Sequence, residues 1–95
     1  MNNLENKVVI IIGGNGNLGS KTYETFMQQS SKVVIIDCFF NRIEDFIKDN
    51  PKYKKNTLCI NADITKENQI KKALERIIKK FSSVDVLINF SHYKG

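Results

Sequence analysis

Residues 13–19 read Gly-Gly-Asn-Gly-Asn-Leu-Gly, directly after the β-branched run Val8–Ile12 and directly before a stretch with helical periodicity. Gly14, Gly16 and Gly19 fit G-x-G-x-x-G, while Gly13, Gly16 and Gly19 also fit G-x-x-G-x-x-G. Such a motif takes its meaning from a strand before it and a helix after it, and both are expected here. Glycines at these places allow a tight turn, a backbone that approaches a diphosphate, and close packing of helix on strand. The N–H groups at the helix start then meet the negative charge. Gly13, Gly14, Asn15, Gly16, Asn17, Leu18 and Gly19 are therefore the candidate phosphate-binding residues, with a purely structural glycine turn as the alternative.

The rest of the chain alternates in the same way, with no internal repeats. Val8–Ile12 stops at glycines, as a strand buried on both faces should. Leu18, Thr22, Phe26 and Met27 recur at helical spacing, with Lys21 and Tyr23 around the side, and the pattern fades near Ser30. Residues 32–37 contain Val33-Val34-Ile35-Ile36, a second buried strand. Phe39, Phe40, Ile43, Phe46 and Ile47 mark a short helix that Pro51 should end by Asn50. A loop is expected over 50–56 and a weaker strand over 57–61, centred on Leu58 and Ile60. Ile70, Leu74, Ile77, Ile78 and Phe81 make an amphipathic helix, with Thr65 as its expected cap and Glu67 in its positive first turn. Residues 84–90 read as a fourth strand.

The order β-α-β-α-β-α-β implies an α/β fold with a parallel sheet and helices on both faces. Right-handed crossovers give a Rossmann-type dinucleotide-binding sheet with strand order 3-2-1-4. The 95-residue length and a composition that is 41% hydrophobic and 26% charged fit one domain over residues 1–95. No apolar run approaches the roughly 20 residues that cross a bilayer, and none looks like a signal peptide. A cytoplasmic location is expected. Cys38 and Cys59 form no CxxC or Cys/His cluster, so no metal site or disulfide is expected, and both read as small buried hydrophobes.

The net charge of +5 is unevenly placed. Residues 1–50 hold five Lys/Arg and six Asp/Glu, whereas residues 51–95 hold ten and four. A basic half raises the possibility of a nucleic-acid-binding surface on residues 52–80. These lysines avoid the apolar stripe of their helix and no aromatics alternate with them, so the solvated faces of a helix and a loop are the favoured reading.

Asp37 ends the second strand, where an acidic side chain can accept hydrogen bonds from an adenosine ribose. A carboxylate there repels a 2′-phosphate, which favours NAD over NADP, although Arg42 lies close downstream and could reach a phosphate.

Taken in order, these features resemble the short-chain dehydrogenase/reductase family across residues 7–91. The segment 13–19 resembles that family's cofactor fingerprint, and Asp37 its adenosine-ribose acid. Asn61-Ala62-Asp63-Ile64-Thr65 resembles the segment after the third strand, which implies that Asp63, with Ile64 beside it, approaches the adenine amino group. Val84-Asp85-Val86-Leu87-Ile88-Asn89 resembles the approach to the family's Asn-Asn-Ala-Gly motif, which implies that Asn89, Phe90 and Ser91 lie beside the cofactor. Departures accompany the match: Ile12 stands where the family usually has Thr or Ser, and only Asn89 keeps its place in the last motif. The glycine spacing suits the longer, sugar-nucleotide-modifying branch, while residues 84–89 look like the shorter one.

The resemblance implies an NAD(P)-dependent oxidoreductase moving hydride between the nicotinamide and an alcohol, carbonyl or sugar-nucleotide substrate. Family members act through a Ser and a Tyr-x-x-x-Lys pair, all later in the chain. Tyr93-Lys94 is adjacent and does not match that spacing, and His92 has no partner acid or nucleophile nearby in sequence. No catalytic residue is therefore assigned, and the expectation is a dinucleotide-binding part, truncated and inactive alone. A non-catalytic NAD-binding module completed by a partner chain is the alternative, and an oligomer is compatible with either. Val86 to Phe90 is expected to leave an uncovered apolar strand edge.

Overall fold

The computed structural model describes residues 3–91. His92, Tyr93 and Lys94, considered above for a catalytic role, lie outside the described residues. Among the described residues, four strands and three α-helices alternate: β1 (Val8–Ile12), α1 (Asn17–Gln28), β2 (Lys32–Ile36), α2 (Asn41–Asp49), β3 (Thr57–Ile60), α3 (Glu67–Phe81) and β4 (Val86–Asn89). The sheet is parallel throughout and runs β3-β2-β1-β4, the expected order.

The β-branched runs form strands because each successive side chain finds a different apolar layer. Val9, Ile11, Val33 and Ile35 pack with Tyr23 and Met27 of α1 and Ile43 of α2. Val8, Ile10, Val34, Ile36 and Ile60 pack on the opposite face with Ala73, Ile77 and Phe81 of α3. Tyr23 is buried in this core, where its hydroxyl pairs with Thr57 Oγ1 at 2.8 Å and its ring meets Phe46 edge-on. Asp85 secures the start of β4: its Oδ2 accepts the Val8 N–H at 2.9 Å, and its own N–H donates to the Val8 carbonyl at 2.9 Å.

Several details depart from the sequence expectations. Leu18 is 63% exposed, and the buried face of α1 is Gly19, Ser20, Tyr23 and Met27. Because α1 approaches the sheet through a glycine, its contact stripe runs from Gly19 and leaves Leu18 on the outer side. Phe39 precedes α2 and is exposed. Cys38 is exposed rather than buried, because β2 ends at Ile36 and strand alternation no longer directs its side chain into a layer; Cys59 is half-buried. The expected loop at 50–56 is a 3₁₀ helix, Pro51–Asn56, with proline in its first turn, where no N–H is needed. Tyr53 in that helix stacks on Phe46, and its carbonyl accepts the Thr57 hydroxyl at 2.8 Å. Thr65 does not cap α3. The N-cap position is Lys66, without a side-chain cap, and the Thr65 hydroxyl turns back to Asp63.

The apolar face of α3 is wider than its contact with the sheet. Ala73, Ile77 and Phe81 are buried, whereas Ile70, Leu74 and Ile78 are 39–49% exposed. Ile70 and Leu74, with Val84 and the 62%-exposed Leu87, border an apolar cavity of about 340 Å³, floored by Ile10, Ile12 and Ile36.

Candidate functional site

All four strands point the same way, so their carboxyl ends bring the glycine loop, Asp37, residues 61–64 and Ser91 to one rim. The β1–α1–β2 crossover leaves on one face and the β3–α3–β4 crossover on the other, which opens a crevice at the ends of the neighbouring strands β1 and β4. A cleft of about 570 Å³ lies there, lined by Gly13, Asp37, Cys38, Asn61, Ala62, Asp63, Ile64, Gln69 and Ser91 above Ile12 and Ile36.

Glycines shape one wall. Gly13 has φ +77°, a left-handed conformation that other residues adopt only with strain, and its N–H donates to the Ile36 carbonyl at 2.8 Å. A Cβ on Gly19 would lie 2.8 Å from the Gly14 Cα, so α1 can approach the loop only without a side chain there. Gly14 is buried against Ile35. Gly16 differs: a Cβ there would meet only the Gly13 carbonyl oxygen at 3.4 Å. Gly16 is also the N-cap of α1, with no side-chain cap and no acidic residue in the first turn. The first amides of any α-helix lack intrahelical acceptors. The positive end of α1 is thus left without a capping side chain and beside open space.

Asp37 stands opposite this loop. Its Oδ2 accepts the Asn15 N–H at 3.0 Å and its Oδ1 accepts the Cys38 N–H at 2.7 Å, so main-chain donors orient the carboxylate. Asp63 is oriented by its own turn, its Oδ1 accepting the Thr65 hydroxyl at 2.6 Å and the Thr65 N–H at 2.9 Å. The Thr65 hydroxyl, then its N–H, hold this carboxyl below the usual carboxylate range. The Asp63 N–H donates to Gln69 Oε1 at 2.7 Å, which ties the segment to α3. At the end of β4, Asn89 Oδ1 accepts the Ser91 N–H at 2.8 Å and so turns Ser91 toward the cleft. The Phe90 N–H donates to the Ile12 carbonyl at 2.8 Å, and its side chain packs on the apolar layer of α1 and α2.

Of the residues singled out from sequence, Gly13, Asp37, Asp63, Ile64 and Ser91 line one cleft. Gly14, Asn15, Gly16, Asn17, Leu18, Gly19, Asn89 and Phe90 do not line it. Sequence reasoning did not pick out Cys38, Asn61, Ala62 and Gln69, which line the same cleft because they flank the strand ends. It also missed the side chain of Asn15 as a link between the glycine loop and α2. The available signal was that Cys38-Phe39-Phe40, just before α2, offers no usual N-capping residue. Among the described residues, no three His, Cys, Asp or Glu side chains converge where a metal ion could be held.

The sequence profile of the short chain dehydrogenase family matches residues 7–91, and the chain belongs to this family. A short chain dehydrogenase/reductase from Colletotrichum higginsianum, dpchG, is 31% identical over 86 residues, covering 90% of this chain and 32% of that protein. Among solved structures, a short chain dehydrogenase from Bacillus anthracis superposes with a TM-score of 0.82 at 28% identity, covering 93% of this chain and 36% of that one. A 3-ketoacyl-(acyl-carrier-protein) reductase from Brucella melitensis, complexed with NADH, superposes with a TM-score of 0.74 at 32% identity, covering 88% of this chain and 34% of that one. The chain spans about a third of the length of these relatives.

Proposed function

We propose that this chain is the dinucleotide-binding domain of an NAD-dependent oxidoreductase. The observation that carries the reading is the glycine-lined start of α1, which has no capping side chain and adjoins, through Gly13, the cleft that holds the Asp37 carboxylate. A diphosphate there would supply the missing acceptor for the first amides of α1. Asp37 would accept from the adenosine ribose and disfavour a 2′-phosphate. Asp63 and Ile64 would border the adenine, and Asn89, Phe90 and Ser91 would carry the wall toward the nicotinamide.

The residues fit such a group, since Gly16 leaves free the space that a side chain would fill. The bound nicotinamide supplies or accepts hydride. The chain's own residues grip the diphosphate, orient the ribose and set the depth of the cleft. The NADH bound to the Brucella melitensis relative supports the choice of cofactor. The substrate class stays as the family resemblance leaves it, an alcohol, a carbonyl or a sugar nucleotide.

Gly16→Val tests the reading. The Gly16 backbone, at φ −68°, suits any residue and the added side chain meets little protein, so the variant should fold as the parent does. Calorimetric titration with NAD+ should show affinity reduced at least about tenfold, the loss of roughly 1.4 kcal/mol or more. Unchanged affinity in a folded variant would refute the phosphate-loop assignment. Binding without turnover in any complete form of the protein would point to a non-catalytic module.

A further inference from the structure

α2 starts behind Phe40, an N-cap residue that supplies no side-chain acceptor for the helix's first amides. The acceptor comes from the glycine loop, 27 positions earlier in the chain. Asn15 Oδ1 accepts the Arg42 N–H at 2.9 Å and the Ile43 N–H at 3.4 Å, and Asn15 Nδ2 donates to Asn41 Oδ1 at 2.9 Å. The main-chain N–H of the same residue donates to Asp37 Oδ2. Arg42 is drawn toward the loop as well, its Nη1 donating to Asn17 Oδ1 at 3.1 Å. Asn15 thus ties the loop expected to hold the diphosphate to the start of the following helix through its side chain, and to the carboxylate expected to hold the ribose through its main-chain N–H.

We propose that Asn15 is a positioning residue that sets discrimination at the adenosine ribose, acting through the cap it places on α2. The inference rests on the dinucleotide reading above. With the cap in place, the first amides of α2 are spent on an internal acceptor, so the ribose edge presents an oriented carboxylate and few free donors. A ribose 2′-hydroxyl, which donates, finds its acceptor there. A 2′-phosphate, carrying roughly −1.5 to −2 charges like other phosphate monoesters, meets repulsion. Without the Asn15 side chain, the Arg42 and Ile43 amides become available to an anion at the positive end of a helix, beside an Arg42 guanidinium that Asn17 still holds near the loop. The Asp37 carboxylate keeps its main-chain donors, but the Asn15 N–H then lies on a loop no longer tied to α2 through the Asn15 amide.

The test uses the full chain, Asn15→Ala and Asn15→Asp, with two readouts. Amide exchange at Arg42 and Ile43 in the free protein should be about tenfold faster in Asn15→Ala, the order expected of a lost N-cap, and restored in Asn15→Asp, which keeps the acceptor. Calorimetric titration should show NAD+ weakened about tenfold in Asn15→Ala, the order of a lost oriented hydrogen bond, with NADP+ weakened less or strengthened. The narrowed preference is the decisive reading, because a merely structural role would weaken both dinucleotides by the same factor, and that result would overturn the proposal. If Asn15→Ala does not fold, Asn15→Asp decides alone: restored amide protection with the parent's preference supports the proposal, and unprotected amides overturn it. A parent chain that binds neither dinucleotide would refute the functional reading and, with it, the role of Asn15. The cap itself would still be read separately by exchange.

Discussion

Cys38 and Cys59 show how far one chain position can differ from another of the same type. Cys38 sits exposed on the cleft beside Asp37, while the half-buried Cys59 lies within β3, where burial pushes its thiol up to about 11. Because the thiolate is the reactive form, an alkylating reagent at neutral pH should modify Cys38 in the folded protein and leave Cys59 until unfolding. Mass spectrometry of the labelled chain checks this, and NAD+ should slow labelling at Cys38; equal labelling of both thiols would contradict the assigned burial. Tyr23 is likewise pushed up to about 12 by burial. Both groups bind their protons more tightly folded than unfolded, so their stabilising contribution is full below pH 9.0. It is lost as the pH rises through the window from 9.0 to about 12, where the unfolded chain ionises first. Urea midpoints should therefore fall across that alkaline window, and Tyr23→Phe should flatten its upper part.

Helices and strands were legible wherever periodicity met a hard stop. The runs at Val8–Ile12 and at 33–36 are long enough and β-branched enough to be nothing but buried strands, and their order placed Asp37 and Asp63 at one rim. Contacts between elements were not legible. Helical spacing puts Leu18 in the buried stripe because periodicity alone cannot say which ridge meets the sheet, and the glycine at position 19 decides it. Thr65 looked like a cap, yet the neighbouring Asp63 competed for its hydroxyl and N–H. Asn15 capping α2 is invisible locally, since donor and acceptor are 27 positions apart. Element ends also carry their own predictions. α3 closes at Ser82 in the left-handed conformation, φ +70°, a place that glycine usually fills. Ser82→Gly should stabilise the chain by about 1 kcal/mol, read as a rise in Tm of roughly 4–8 °C. Asp85→Ala should do the opposite, by about 1–2 kcal/mol, because the Val8 N–H loses a charged acceptor.

As a whole the chain is compact, with a radius of gyration of 12.6 Å, close to the roughly 12–13 Å expected of a folded domain this long. Ile70, Leu74, Val84 and Leu87 form an exposed apolar patch where α3 meets β4, and Ile78 is exposed farther along the same helix. A patch of this kind drives association in water. Sedimentation of the 95-residue chain should show concentration-dependent self-association that Leu87→Lys reduces, while the circular dichroism spectrum stays that of the parent. No helix among the described residues is long and apolar enough to cross a membrane.

Titrating isotope-labelled chain with NAD+ and following backbone amide signals tests the dinucleotide reading most directly. Shifts should concentrate at residues 13–19, Asp37, Asp63 and Ser91, and they should persist at 0.3 M salt, where contacts that rest on surface charge are largely screened. Shifts confined to residues 66–80 and abolished by salt, or no shifts at all, would contradict it.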